Sequence, residues 1–223
     1  MHKAVAIVSG GLDSVTLAYQ LEARGYDLHL LSFDYGQRHD KELHFAKLCA
    51  ERLNANHNLI DISDLGALLG GSALTDASVD VPDGHYADSN MSFTVVPNRN
   101  AIMLAIGFSL AAAQNAEVVA LGVHGGDHFI YPDCRPDFIR RFEHMEEASL
   151  GEFAQVRLIA PFLDIGKDGI VKVGSEIGVP FELTWSCYKG GVHHCGQCGT
   201  CLERKEAFAL ANVADPTIYL ASS

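Results

Sequence analysis

Residues 4–8 are an unbroken apolar run with the length and β-branched content of a buried strand. The next apolar positions, Val15, Leu17, Ala18 and Leu21, recur at helical spacing and stop before Gly25. The chain repeats this change of period. Apolar runs at 28–33, 58–62, 118–123 and 156–160 predict further strands, and segments 41–54, 100–114, 136–150 and 169–177 predict helices. Strands alternating with helices across short links predict an α/β fold with a doubly wound, mainly parallel sheet. Between residues 64 and 93 the pattern breaks into Gly, Ser, Pro, Asp and Asn. This predicts a long loop, partly ordered at best and able to fold over a substrate.

The polar stretches at the strand ends carry the candidate chemistry, because ligands of open α/β sheets bind outside the carboxyl ends of strands. The first is Ser9-Gly10-Gly11-Leu12-Asp13-Ser14, a Gly-rich turn from strand to helix. Gly10 and Gly11 let backbone amides approach an anion, and the first helical turn presents N–H groups at a positive dipole end. Ser9 and Ser14 add hydroxyl donors, and Asp13 can hold a divalent cation between phosphates. The turn lacks the Gly-Lys-Ser/Thr of a Walker A loop and the three-glycine dinucleotide pattern. An ordinary Gly-rich turn is the bland alternative. Arg38, in Asp34-Tyr35-Gly36-Gln37-Arg38-His39, can complement a phosphate, and Tyr35 or Gln37 can contact a base or ribose. A solvated Arg is the alternative there. Arg99 opposes the dipole at the start of its helix, which calls for an anionic or aromatic partner. Asp127 and Asp133 follow the strand at 118–123 and can accept hydrogen bonds from a guanine-like base edge.

Composition narrows the picture. A chain of 223 residues suits one α/β domain with at most a small appendage. A hydrophobic share of 48% supports a sizeable core and argues against global disorder. Lys and Arg total 16 against 28 Asp and Glu, a net charge of −12, which disfavours wrapping a long nucleic-acid backbone. No apolar run reaches membrane-spanning length and Met1-His2-Lys3 leads directly into a strand, so a cytoplasmic protein with no membrane association is expected. Six cysteines in such a chain are better read as thiols or metal ligands than as disulfides.

Four of those cysteines, Cys187, Cys195, Cys198 and Cys201, are spaced Cys-x7-Cys-x2-Cys-x2-Cys. Two-residue gaps let a tight turn aim both sulfurs at one centre, with Gly196 and Gly199 supplying the freedom. Four thiolates with no open position describe a structural zinc site. An iron–sulfur cluster uses similar runs, and disulfides are the third reading. His193 and His194 are read as bystanders and Cys49 as a buried thiol. The expected organisation is a nucleotide-binding domain over 1–180 and a metal-binding segment with a helix over 181–223.

The loop Ser9-Gly10-Gly11-Leu12-Asp13-Ser14 resembles that of the PP-loop ATP pyrophosphatases, which split ATP to AMP and pyrophosphate while adenylating a substrate oxygen. The chain adds Phe33-Asp34-Tyr35-Gly36-Gln37-Arg38-His39, Val96-Pro97-Asn98-Arg99-Asn100, Tyr131-Pro132-Asp133-Cys134-Arg135, Thr184-Trp185-Ser186-Cys187-Tyr188 and the trailing cysteine run. With these it resembles the 7-cyano-7-deazaguanine synthase (QueC) family from residue 9 to Arg204. The resemblance implies an adenine nucleotide alpha hydrolase-like fold. It implies a ligase of queuosine biosynthesis that converts 7-carboxy-7-deazaguanine and ammonia to the nitrile, through acyl-adenylate and amide intermediates. It implies that Val8, Ser9, Gly10, Gly11, Leu12, Asp13, Ser14 and Arg99 bind ATP, accompanied by Mg2+. Asp13, Arg38 and Lys167 are then the catalytic candidates, and Asp127, Tyr131 and Asp133 the substrate-binding ones. It further implies one structural Zn2+ per chain on Cys187, Cys195, Cys198 and Cys201, a homodimer, and no direct binding of tRNA. A PP-loop enzyme acting on tRNA, such as a thiolase, is the competing reading. A non-catalytic zinc-binding module accounts for the cysteines but not for the phosphate turn.

Overall fold

Strands β1 (Lys3–Ile7), β2 (Asp27–Asp34), β3 (Asn56–Asp61), β4 (Val118–Ala120) and β5 (Arg157–Ile159) pair in parallel in the order β3-β2-β1-β4-β5. This computed structural model describes residues 2–38, 40–69, 71–76, 78–85, 92–126 and 131–220. Val5 of the central strand lies opposite His29 on one side and Val119 on the other. Its neighbours alternate between two cores, as the period of two requires. Ala4, Ala6 and Val8 face one core with Leu17, Leu21 and Ile170, whereas Val5 and Ile7 face the other with Leu104 and Phe108.

The helices that cover these faces include the five that the periodicity predicts, α1 (Leu12–Ala23), α2 (Lys41–Arg52), α4 (Arg99–Gln114), α5 (Pro136–Leu150) and α6 (Lys167–Glu176). The others are α7 (Gly199–Ala211) and a short α3 (Ser63–Leu68). Their small residues allow close packing. Gly107 of α4 lies so near β4 that a Cβ there would stand 3.3 Å from Val119. Phe181, Ala207 and Phe208 join the same core as Ala6 and Val8, so the chain beyond residue 180 is packed into the sheet's own core.

Two elements differ from the sequence pattern. The apolar run 118–123 predicts a longer strand, but β4 ends at Ala120. Leu121 still donates to the Ile159 carbonyl at 3.0 Å, and the chain then leaves the sheet to line a cavity. The segment 64–93 is more ordered, among the described residues, than its composition predicts. Gly66 of α3 sits where a Cβ would lie 1.8 Å from the Tyr35 carbonyl oxygen, so only glycine fits. Ala73 and Val81 are buried with Trp185 and three of the clustered cysteines, and Gly84 donates to the Gln197 carbonyl at 3.0 Å. Tertiary contact therefore orders a stretch that has no periodicity of its own. No helix among the described residues is long and apolar enough to cross a membrane.

Candidate active site

The strand order reverses between β1 and β4, and a cavity of about 550 Å³ opens at the carboxyl ends of those two strands. Ser9, Gly11, Leu12, Asp13 and Ser14 form one wall, at the N-terminus of α1. The turn is tied to itself. Ser14 Oγ accepts from the Ser9 amide at 3.1 Å and donates to the Gly11 carbonyl at 3.2 Å, while the Gly11 amide donates to Ser9 Oγ at 3.3 Å. Gly10 has φ of +88°, and a Cβ there would stand 2.1 Å from the Glu42 carbonyl oxygen. Gly10 therefore serves the close approach of α2, and its carbonyl accepts from the Trp185 amide at 2.9 Å. Val8 is fully buried, with its amide bonded to the Leu31 carbonyl at 2.8 Å and its carbonyl accepting from Ser32 Oγ at 2.6 Å. Val8 and Gly10 thus lie behind the cavity wall and support it, whereas the other five residues line it.

Charged groups converge on this turn from three other elements. Lys167, the first residue of α6, places Nζ 3.4 Å from Asp13 Oδ2 and 2.6 Å from Glu203 Oε2 of α7. His124, beyond β4, is buried with Nε2 4.0 Å from Asp13 Oδ2, and its Nδ1 accepts from the Gly126 amide at 3.0 Å. Asp13 Oδ1 is buried with no hydrogen-bond partner among the described residues. A carboxylate oxygen left open in this way suits a cation or a ligand donor.

The facing wall carries Tyr35, Arg38, Glu42, Arg99 and Tyr131. Arg99 Nη1 donates to Tyr35 Oη at 3.2 Å, and its guanidinium lies 5.4 Å from the Tyr35 ring centre. This is the aromatic partner that an arginine at a helix start calls for. Burial works against the Arg99 charge, but Tyr35, Tyr131, Tyr188 and Asp133 outweigh it, so its pKa is raised. Burial pushes the Glu42 carboxyl up to about 7 despite the pull of Arg99. Asp133 sits at the start of α4. Its Oδ2 accepts from the Asn100 amide at 3.0 Å, capping α4, and it does not line the cavity. Asp127 lies outside the described residues.

Beside the cavity, the side-chain sulfurs of Cys187, Cys195, Cys198 and Cys201 all lie within 4.8 Å of one another, and together they can hold a metal ion. The amides of Gln197 and Cys198 donate to Cys195 Sγ at 3.4 and 3.3 Å, and the Cys195 amide donates to Cys187 Sγ at 3.4 Å. Hydrogen bonds from Cys187 and Cys201 hold the Cys198 thiol far below its usual pKa. Arg204 ties down the segment that leads into Cys187. Fully buried, it donates to Thr184 Oγ1 at 2.8 Å, Ser186 Oγ at 3.1 Å and the Phe181 carbonyl at 2.9 Å, with Asp215 Oδ1 3.6 Å from its Nε.

The chain matches the family described as queuosine biosynthesis protein QueC over residues 3–212. It is 61% identical to a curated protein of Brucella anthropi named 7-cyano-7-deazaguanine synthase, over 97% of this chain and 93% of the relative. The chain belongs to the QueC family. A protein of the same name from Rhizobium johnstonii is 61% identical over 97% of this chain and 92% of its own. Among solved structures, the NMN synthetase of Francisella tularensis superposes with a TM-score of 0.53 at 16% identity, covering 95% of this chain and 77% of its own. A predicted subunit of tRNA methyltransferase from Methanocaldococcus jannaschii gives a TM-score of 0.51 at 18% identity, covering 79% and 75%. These two likenesses show a shared fold.

In this QueC chain the structure brings Ser9, Gly11, Leu12, Asp13, Ser14, Arg38, Arg99, Tyr131 and Lys167 to one cavity. Glu42, His124, Trp185, Tyr188 and Glu203 are the residues that sequence reasoning missed. Only the meeting of separate elements shows that Glu42, Trp185, Tyr188 and Glu203 line the cavity and that His124 stands behind Asp13. Trp185 and Tyr188 flank Cys187, which was the available signal for them.

Proposed function

We propose that this chain is an ATP-dependent ligase that converts 7-carboxy-7-deazaguanine and ammonia to 7-cyano-7-deazaguanine in queuosine biosynthesis. The supporting observation is its 61% identity, across nearly its whole length, to proteins named 7-cyano-7-deazaguanine synthase. The cavity is chemically suited to the task. A carboxylate is a poor electrophile, and adenylation supplies a leaving group. Ammonia then displaces AMP to form the amide, a second ATP activates the amide oxygen, and loss of AMP leaves the nitrile.

Within this reading, Ser9, Gly11 and Ser14 cradle the ATP phosphates with backbone amides and hydroxyls at the α1 N-terminus. Val8 and Gly10 shape that turn from behind, and Leu12 contributes its backbone. Asp13 holds the Mg2+ that accompanies ATP, which would supply charge neutralisation between phosphates. Lys167 and Arg38 stabilise charge on the transferring groups. Arg99, set by Tyr35, packs against the nucleotide, and Tyr131 and Asp127 contact the deazaguanine. The four cysteines hold a structural Zn2+. A tetrahedral zinc–thiolate centre has sulfur–sulfur edges of about 3.8 Å, and Cys195 and Cys201 stand 3.8 Å apart. With four protein ligands no position is open for water activation. The protein acts as a cytoplasmic homodimer without binding tRNA directly, which sedimentation and tRNA-binding assays test.

The deciding experiment is pyrophosphate release from Mg-ATP with ammonium, with and without the acid, followed by mass spectrometry of the base. Release that depends on the acid, with a nitrile product, is the expected outcome. ATP cleavage that ignores the acid rejects the substrate and keeps the nucleotide reading.

A further inference from the structure

α7 does two jobs on adjacent residues. Arg204 turns inward and is locked by Thr184, Ser186, Phe181 and Asp215, with no exposure to solvent. Glu203 projects in a different direction, as neighbours on a helix do, and lines the cavity. Cys198 and Cys201 belong to the four-cysteine centre at the start of the same helix. The start of α7 is therefore fixed from two sides, and of the α7 residues that line the cavity Glu203 is the one that meets Lys167.

Glu203 Oε2 stands 2.6 Å from Lys167 Nζ, closer than the 3.4 Å that separates Lys167 from Asp13. Both members of the Lys167–Glu203 pair are mostly shielded, with side-chain exposures of 15% and 27%. A shielded charge-assisted hydrogen bond of this length restricts a flexible four-carbon side chain. The other carboxylate oxygen faces the backbone at Gly126, where a Cβ would stand 3.7 Å away, and the Gly126 amide is itself held by His124.

We infer that Glu203 is a positioning residue, which holds the Lys167 ammonium at the wall beside Asp13 where charge develops during adenylation. This rests on the proposed role of Lys167. It also gives the cysteine centre a task beyond bracing, since it anchors the helix that aims Glu203.

The test is a double-mutant cycle of Lys167→Ala and Glu203→Gln, assayed by acid-dependent pyrophosphate release, with bound metal and melting temperature measured on each variant. Glu203→Gln keeps the side-chain shape and removes the charge. We expect it to lower kcat by about tenfold to a hundredfold, the scale of a misplaced catalytic group, with the KM for ATP changed far less. Metal content and melting temperature should stay near those of the parent. In the Lys167→Ala background Glu203→Gln should have no further effect on kcat. Additive losses, or a silent Glu203→Gln, overturn the inference, because Glu203 then acts independently of Lys167 or not at all. A Lys167→Ala variant with full activity removes the role of Lys167 itself, which is a separate failure. Absence of acid-dependent release in the unmodified protein rejects the substrate reading instead.

Discussion

The phosphate turn and the cysteine centre are both glycine-bearing turns, yet they are built in opposite ways. The turn is contiguous and presents backbone amides, hydroxyls and one carboxylate to an open cavity, with Asp13 a quarter exposed. The centre gathers side chains across fifteen positions, from Cys187 to Cys201, and three of its four cysteines are fully buried. An open wall with an unsatisfied carboxylate oxygen is suited to ligands that come and go. A closed set of thiols with amide donors is suited to a resident ion. α7 joins the two, starting in the centre and bringing Glu203 of its second turn to Lys167, which also faces Asp13.

The contrast can be broken most severely at the centre. Cys198→Ser should abolish the metal binding proposed for the four cysteines and destabilise the protein by several kcal/mol, a part of what a structural metal contributes. Metal analysis and thermal melts would show it, and activity should fall with them. Asp13→Ala acts on the other side. It should reduce ATP turnover by about a thousandfold while metal content stays unchanged. Normal turnover in that variant would remove the cation role of Asp13.

A third change probes the scaffold of the turn. Gly10→Ala meets the Glu42 carbonyl and requires a left-handed backbone. It should cost about 2–3 kcal/mol of stability, measured by denaturant melts, together with much of the ATP affinity. Unchanged stability would mean that α2 can withdraw.

The smallest effect concerns Glu42. Burial raises its carboxyl from 4.5 to about 7 in the folded state, with Arg99 opposing. Between these values the folded chain holds a proton that the unfolded chain has lost, so stability falls as pH rises through the window. Its contribution is complete below the lower value and gone above the upper one. Glu42→Gln should flatten this decline by roughly 2 kcal/mol between pH 5 and pH 8, read from melts without nucleotide. Parallel pH curves for the two proteins would show that the carboxyl titrates normally.

The change from apolar runs to a helical period is a property of neighbouring residues, and it was enough to locate the five strands and the helices at 12–23, 41–52, 99–114, 136–150 and 167–176, but not the one at 199–211. The phosphate turn and the cysteine run were equally legible, because each motif is nearly contiguous and its chemistry follows from residue type and spacing. Contacts between separate elements were not. Asp133 reads as a base-edge acceptor, and only the structure shows that its Oδ2 accepts from the Asn100 amide of α4. The glycine-rich stretch after residue 64 reads as loose, and the cysteine centre and Trp185 order part of it. Nothing in the sequence pattern singles out Glu203, and only the packing of α6 and α7 brings it to Lys167. Periodicity specifies which face of an element is buried. Which charged side chains then meet depends on the order of strands and the crossing of helices, and these are decided by packing over the whole chain.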